Sequence, residues 1–232
     1  MSKTLTSLVF LILLFPRFGA NAQFSKENSG EFIFSFSEVQ RMGIDIPTKM
    51  RFTLFFHAGQ NMHYDFTNNF GFFSGYGIRN IGIVTEEGNS VIKRRTYSLG
   101  VPLALKLGSF NDHIYVYGGG ELELFFHYKQ KLYINGDKTA KLSQWFSNRT
   151  ERFAPSFFAG IQFPKGINLK FKYYPRNFLN VDYRGYDFNT PVDYSDFNQT
   201  QLFYFSLSFN FKNQDLKKLY SPETGPGRIA GL

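Results

Sequence analysis

Three side chains that could perform acid-base chemistry lie close together in the sequence. Glu121, Glu123 and His127 have the same parity in an alternating segment, so a β-strand would place them on one face. A carboxylate beside a histidine can act as a general acid-base pair. However, strand residues two positions apart are separated by about 7 Å and those four apart by about 13 Å, so His127 cannot pair with Glu123 along one strand. A partner on a neighbouring strand remains open, and packing inside a barrel is the simpler interpretation.

The other residues with chemical potential show no motif. His57, His63 and His113 lack the spacing of a metal site, and the chain has no cysteine. Gly118-Gly119-Gly120 lacks the following helix that a phosphate-binding loop needs. We therefore expect no catalytic residues, no metal, no cofactor and no enzyme activity.

Composition restricts the class of protein. The chain has 232 residues, a formal charge of +8, and 30 Phe, 14 Tyr and one Trp. Disordered chains are poor in aromatic residues, so this one must fold, and its length suits a single domain. Mean hydropathy is nevertheless slightly negative at -0.26, so the aromatic residues must be segregated from many polar ones.

The N-terminus has the pattern of a secretory signal peptide. Lys3 precedes an apolar run from Leu8 to Phe15, and small residues end at Ala22. We predict cleavage after Ala22, export, and no membrane-spanning helix in the remainder, since no later stretch is long and apolar enough. The predicted division is a signal peptide (1–22), one barrel domain (23–212) and a flexible periplasmic tail (213–232).

The chain after Ala22 alternates with the period of two that is typical of β-strands. Between Tyr97 and Leu107, every odd position holds a bulky apolar residue, whereas the even positions hold small or polar residues. Phe203–Phe211 repeats the pattern. Eight candidate strands result: Phe32–Glu38, Arg51–Ala58, Phe70–Ile81, Tyr97–Leu107, Ile114–Tyr128, Phe153–Phe163, Ile167–Tyr173 and Phe203–Phe211.

The connections alternate between short and long. Gly108–Asp112 and Pro164–Gly166 are short, whereas Leu132–Thr150 and Phe178–Thr200 have about twenty residues. This layout predicts an all-β fold, an eight-stranded antiparallel up-and-down transmembrane barrel with short periplasmic turns and long extracellular loops. Gly59–Asn69 is longer than a periplasmic turn needs to be and has no explanation at this stage.

Alternation does not say which face points inward, but side-chain volume does. Rows of Phe and Leu would overfill a barrel of eight strands, which favours a membrane barrel over a soluble lipocalin-like one. Charged residues facing lipid are costly, so charges on the small parity should lie in a filled polar lumen and pair with one another. The predicted network contains Arg79, Lys106, Glu121, Glu123, His127, Arg152, Lys170 and Lys172.

Basic residues gather at the long-loop end of the strands. Lys93 and Arg95 follow the outward parity beyond Tyr97, a candidate interfacial aromatic. Either the cations bind the phosphates of lipopolysaccharide or they form a solvated rim, and the sequence leaves both open. The candidate residues are Lys93, Arg94, Arg95, Lys129, Lys131 and Arg149.

The last long loop is rich in aromatic residues, which suggests a surface for a protein partner. Its candidate residues are Tyr183, Tyr186, Phe188, Tyr194 and Phe197. A basic, aromatic chain could also bind nucleic acid, but here the aromatic residues belong to one strand parity, and we expect no nucleic-acid partner.

Three segments, Tyr97–Gly108, Tyr115–Tyr128 and Phe171–Tyr183, resemble the PorT-like outer-membrane β-barrel family. These are OmpX-like barrels of Gram-negative bacteria with type IX secretion, and the resemblance spans roughly residues 30–212. It implies insertion by the outer-membrane assembly machinery, which reads a terminal strand that ends in an aromatic residue, here Phe211. It also implies an accessory role in protein secretion as an alternative to surface binding through the loops, and a small pore or barrel enzyme is a third hypothesis.

Overall fold

The computed structural model describes residues 23–212, so the predicted signal peptide and the predicted tail lie outside the described residues. The described chain contains thirteen strands and two short 3-10 turns, Pro164–Gly166 and Tyr194–Asp196. No helix in this range is long and apolar enough to span a membrane. The strands are β1 (Gln23–Arg41), β2 (Ile44–Ile46), β3 (Arg51–Thr53), β4 (Ala58–Asp65), β5 (Phe70–Glu87), β6 (Ser90–Ser109), β7 (Ile114–Ile134), β8 (Asp137–Trp145), β9 (Phe153–Gln162), β10 (Ile167–Tyr174), β11 (Arg184–Asp187), β12 (Thr190–Asp193) and β13 (Phe197–Lys212).

Eight of these strands form a closed antiparallel wall. Their order around the wall is β1, β4, β5, β6, β7, β9, β10 and β13, so neighbours in space follow one another along the chain. The wall closes where β13 pairs with β1, and this pairing includes the backbone of Phe211 opposite Asn28. The predicted eight-stranded up-and-down barrel is confirmed, and closure removes the open edges that an all-β sheet would otherwise expose.

The second wall strand lies further along the chain than predicted. It is β4, Ala58–Asp65, which pairs with both β1 and β5 and accounts for most of the unexplained segment Gly59–Asn69. The predicted strand Arg51–Ala58 is wrong: only β3 forms there, and it pairs with β1 alone. Thr48 pairs with Thr85 of β5 and Ala58 with Ile78, so this segment has three more residues between the two pairings than β5 has. Residues 54–57 therefore do not pair within the wall, and Phe55 and Phe56 are exposed.

A sheet extends beyond the barrel at the long-loop end. β7 continues to Ile134, turns at Asn135-Gly136 and returns as β8, so much of the predicted loop Leu132–Thr150 is a β-hairpin. Both turn residues have positive φ, 53° at Asn135 and 92° at Gly136, which is the signature of a type I′ turn. The ends of β5, β6 and β7 nearest the long loops also belong to this extension.

The barrel is apolar outside and charged inside. Leu103, Leu105 and Phe157 are 61%, 58% and 62% exposed, whereas Lys172 and Glu123 inside the wall are completely buried. A protein in water would have the opposite arrangement, because burying ions and exposing rows of large apolar side chains both cost free energy. The soluble lipocalin-like alternative is therefore wrong, and the fold is that of a membrane β-barrel.

The interior has three layers. Charged residues occupy the middle, and an aromatic cluster around Phe73, Tyr117 and Phe158 fills the short-turn end. At the long-loop end, Ile81 and Ile83 pack with residues of the last long loop in a second apolar cluster. The lumen is therefore filled apart from a cavity of about 40 Å³ beside Arg79 and Tyr117, and less of its lining is polar than the sequence indicates.

Candidate functional site

The middle layer is a network of ion pairs that crosses the lumen. Arg79 on β5 contacts Glu31 on β1 through Nε at 3.0 Å, and it also pairs with Glu121 on β7. Lys170 on β10 pairs with the second oxygen of Glu31 at 2.6 Å, and Ser206 donates to the same oxygen at 2.6 Å. Each of these pairs joins two wall strands that are separated by one other strand, so the charged side chains link strands that are not themselves paired.

The other half of the network surrounds Lys172. Its Nζ lies 2.7 Å from Glu121 and also pairs with Glu123. Tyr174 and Ser98 donate hydrogen bonds to Glu123 at 2.6 and 2.5 Å. Three cations therefore meet three carboxylates, and each carboxylate is paired and hydrogen-bonded, which is the condition under which buried ions are tolerated.

Five predicted lumen residues meet in this network: Arg79, Glu121, Glu123, Lys170 and Lys172. Lys106 is also buried, but it lies nearer the short-turn end, where it pairs with Asp65 at 2.7 Å and contacts His63. Glu31 belongs to the network and was not predicted. Its parity with Ser35 and Ser37 on β1 is the sequence signal that could have identified it.

His127 does not lie in the lumen, so its predicted place there is wrong. Its ring stacks on Trp145 at 4.3 Å and on Tyr97 at 5.6 Å, outside the wall. The reason is a β-bulge: Tyr97 faces His127 and Ser98 faces Phe125, so Phe126 is an extra residue that reverses the parity of β7. His127 and the two glutamates are therefore on opposite faces, which rules out the acid-base pair considered above.

Arg152 also lies outside the network. It is exposed and donates a hydrogen bond to Asn148 at 3.4 Å. β9 begins only at Phe153, so the alternation of that strand does not extend to Arg152. Its assignment to the lumen is wrong for this reason.

A polar cap closes the long-loop end of the lumen. Asp187 on β11 accepts hydrogen bonds from Arg149 at 2.7 Å, Gln130 at 3.1 Å and Tyr194 at 2.8 Å. Burial alone would lower the pKa of Arg149, but the hydrogen bond and the charge of Asp187 outweigh it and raise the pKa. Burial raises the pKa of Tyr194 to about 12. Both groups therefore keep their neutral-pH protonation states while they hold the loop in place.

Arg94 and Arg149 are not rim cations, which corrects two of the six candidate lipopolysaccharide contacts. Arg94 points into the barrel, where Nη1 donates to Thr85 at 2.9 Å. Arg149 is buried in the cap. Arg94 differs from Lys93 and Arg95 because adjacent strand residues point to opposite faces.

The aromatic loop is mostly folded into the barrel mouth. Tyr194 and Phe197 are buried, and Tyr183 packs on Tyr194 with ring centroids 5.0 Å apart. Phe188 is half-buried, and Tyr186 alone among the five candidates is widely exposed. The prediction that these residues offer a surface to a protein partner is wrong at Tyr194 and Phe197, since their side chains are buried in the barrel mouth.

The remaining rim cations form a surface outside the wall. Lys93, Arg95, Lys129, Lys131 and Lys141 face outward on β6, β7 and β8, and we call these five residues the cationic face. Lys93 lies over the ring of Tyr133 at 4.6 Å and Lys129 over Tyr97 at 5.0 Å. In residues 23–212, no group of three or more His, Asp or Glu side chains is arranged to hold a metal ion.

No family model and no curated protein matches the sequence. Among solved structures, the chain is similar to Ail, the attachment invasion locus protein of Yersinia pestis, solved with the heparin analogue sucrose octasulfate (14% identity, TM-score 0.37, 81% of this chain and 99% of that one). It is also similar to Neisserial surface protein A (10%, 0.39, 83% and 99%) and to the outer membrane protein OprG from Pseudomonas aeruginosa (11%, 0.37, 84% and 98%). Similarities this low carry no information about a shared ligand or role.

Proposed function

We propose that the chain is a non-enzymatic integral protein of the outer membrane of a Gram-negative bacterium, which acts through its extracellular end. The observation that supports this is the polarity of the wall, with exposed leucine and phenylalanine rows outside and buried ion pairs inside. Lipid is the solvent in which both features are favourable.

The proposal is tested by placing one charge on the outward face. Leu103→Arg puts a cation in the middle of the apolar row of β6, at a cost of about 2–4 kcal/mol if that row faces lipid. Folding is measured in outer-membrane fractions as the difference in gel mobility between unboiled and boiled protein. We expect a heat-dependent shift for the wild type and little folded protein for the variant.

The matched control is Tyr186→Arg, which introduces the same side chain at a position of similar exposure, 64% against 61%. It should fold like the wild type, because Tyr186 lies on β11 above the wall. Normal folding of both variants, with the protein recovered as a soluble periplasmic species, would contradict a membrane location.

The extracellular end offers two kinds of contact in this proposal, lipopolysaccharide at the cationic face and a protein partner around Tyr186.

Assembly is proposed to depend on the outer-membrane assembly machinery, with Phe211 as the terminal aromatic residue. Phe211→Ala should lower the amount of folded barrel, and an unchanged amount would count against recognition through this residue.

A role in protein secretion is the second candidate, supported by the sequence resemblance to PorT-like barrels over Tyr97–Gly108 and Tyr115–Tyr128. A strain that lacks the protein should then retain type IX cargo. Normal export of that cargo would exclude the role and leave the surface function in place.

A further inference from the structure

The cationic face contains an unusual arrangement of like charges. Lys93 lies directly opposite Lys131, and Arg95 directly opposite Lys129, on the antiparallel strands β6 and β7. Lys131 is in turn directly opposite Lys141 on β8. Like charges that face one another across strands destabilise a sheet. The sequence thus maintains a costly cluster on an outward surface.

No internal anion offsets this cluster. Within the described residues, the carboxylates that pair with cations are engaged elsewhere, and none lies within 4 Å of a charged nitrogen of the cationic face. The two cation-π contacts to Tyr133 and Tyr97 use ring faces and leave the charges without a counterion. The cationic face therefore has no carboxylate partner among the described residues, and an external anion would neutralise it.

An apolar groove adjoins the cationic face. It has a volume of about 870 Å³ and runs between residues 49–56 and the outward sides of β5 and β6. Phe56 packs against Tyr97 with ring centroids 5.7 Å apart, so the groove opens where the apolar band meets the basic residues. Its lining is mostly apolar and includes Phe52, Leu54 and Val91, and the cations Lys49, Arg51, Lys93 and Arg95 also line it.

We infer that the groove and the cationic face together bind one molecule of lipid A, the bisphosphorylated and acylated anchor of lipopolysaccharide. The phosphates would lie on the paired cations, and an acyl chain would lie against the apolar lining. A soluble anion would use only the cations, and a neutral lipid only the groove, whereas an anionic amphiphile uses both. This inference rests on the proposed function, because the long-loop side must face the lipopolysaccharide leaflet.

The test measures how much lipid A remains bound to the full-length protein in mild detergent, by native mass spectrometry. The variant Arg95→Gln/Lys129→Gln removes one pair of facing cations. We expect its affinity for purified lipid A to fall about tenfold or more, since charge-assisted contacts of this kind each account for roughly a tenfold change. The charge-matched control is Lys26→Gln/Lys165→Gln, which removes two exposed lysines at the short-turn end, away from the cationic face, and should bind like the wild type.

A second variant keeps every charge and fills the groove. Val91→Trp should weaken binding of lipid A without altering the cations. If this variant does not fold, which the gel shift reveals, the charge variant decides alone. Dephosphorylated lipid A should bind at least about tenfold more weakly than lipid A, and inorganic pyrophosphate should not displace the lipid.

Several results would overturn the inference: equal binding by the wild type and the Arg95/Lys129 variant, equal binding of phosphorylated and dephosphorylated lipid A, or equally tight binding of phosphatidylglycerol. The last would indicate a general anionic-lipid surface. A protein that shows the heat-dependent shift but retains no lipid A refutes this inference alone. A protein that lacks the shift and is soluble refutes the proposed function as well.

Discussion

Lys172 on β10 and Glu123 on β7 form an ion pair inside the barrel although β9 lies between their strands, and both side chains are completely buried. The pair therefore bridges the intervening strand on the lumen side and does not reinforce a direct strand pairing. Together with the Arg79 pairs, it ties four regions of the wall to one charged centre. The stability of the barrel should depend strongly on keeping this centre complete.

Removing one cation should be severe. Lys172→Met leaves Glu123 buried without its cation, and breaking a buried pair in this way costs about 3–5 kcal/mol. The measurement is the urea midpoint of the heat-dependent gel shift. The double variant Lys172→Met/Glu123→Gln should recover part of the loss, because the amide can still accept from Tyr174. A single variant as stable as the wild type would contradict the importance of the pair.

The lumen also depends on a residue without a side chain. A Cβ atom at Gly100 would overlap the carboxylate of Glu121, so Gly100→Ala must displace a member of the network. We expect a loss of about 1–3 kcal/mol in the same unfolding assay, as for other overpacked interiors. Gly120→Ala is the control, because the nearest atom to its Cβ would be 3.6 Å away, an ordinary contact. Equal stability of the two variants would mean that Glu121 moves freely.

Much of this architecture follows from alternation. The parity of Lys170 and Lys172 against Phe171 predicts which side is lumen, and the structure agrees. The bulge at Phe126 could not be predicted, because one extra residue does not interrupt the alternation in the sequence. It nevertheless moves His127 to the opposite face of the strand. The hairpin at Asn135-Gly136 did have a signal, because Asn-Gly strongly favours a type I′ turn. The cap could not be predicted, because Asp187 meets Arg149 only after the loop folds inward.

The cap should open when Asp187 loses its charge. Asp187→Asn weakens the hydrogen bond from Arg149, a charge-assisted contact that contributes about 1.5–3 kcal/mol. We expect faster proteolysis of residues 184–193 with an unchanged heat-dependent shift, because the wall does not include β11 and β12. Asp193→Asn is the control, since its exposed pair with Arg184 contributes little to stability. Equal proteolysis of the two variants would show that Asp187 does not hold the loop.

Alkaline titration tests whether Tyr194 is buried in the cap in solution. Burial raises its pKa to about 12, above the value of about 10 for an exposed tyrosine. The folded state thus favours the neutral phenol that donates to Asp187. Its contribution to loop closure is complete below about pH 10 and is lost as the pH rises from about 10 through 12. The difference in absorbance at the phenolate wavelength between the wild type and Tyr194→Phe isolates this one residue. A midpoint near pH 12 is expected, whereas a midpoint near pH 10 would place Tyr194 in water and the loop outside the barrel mouth.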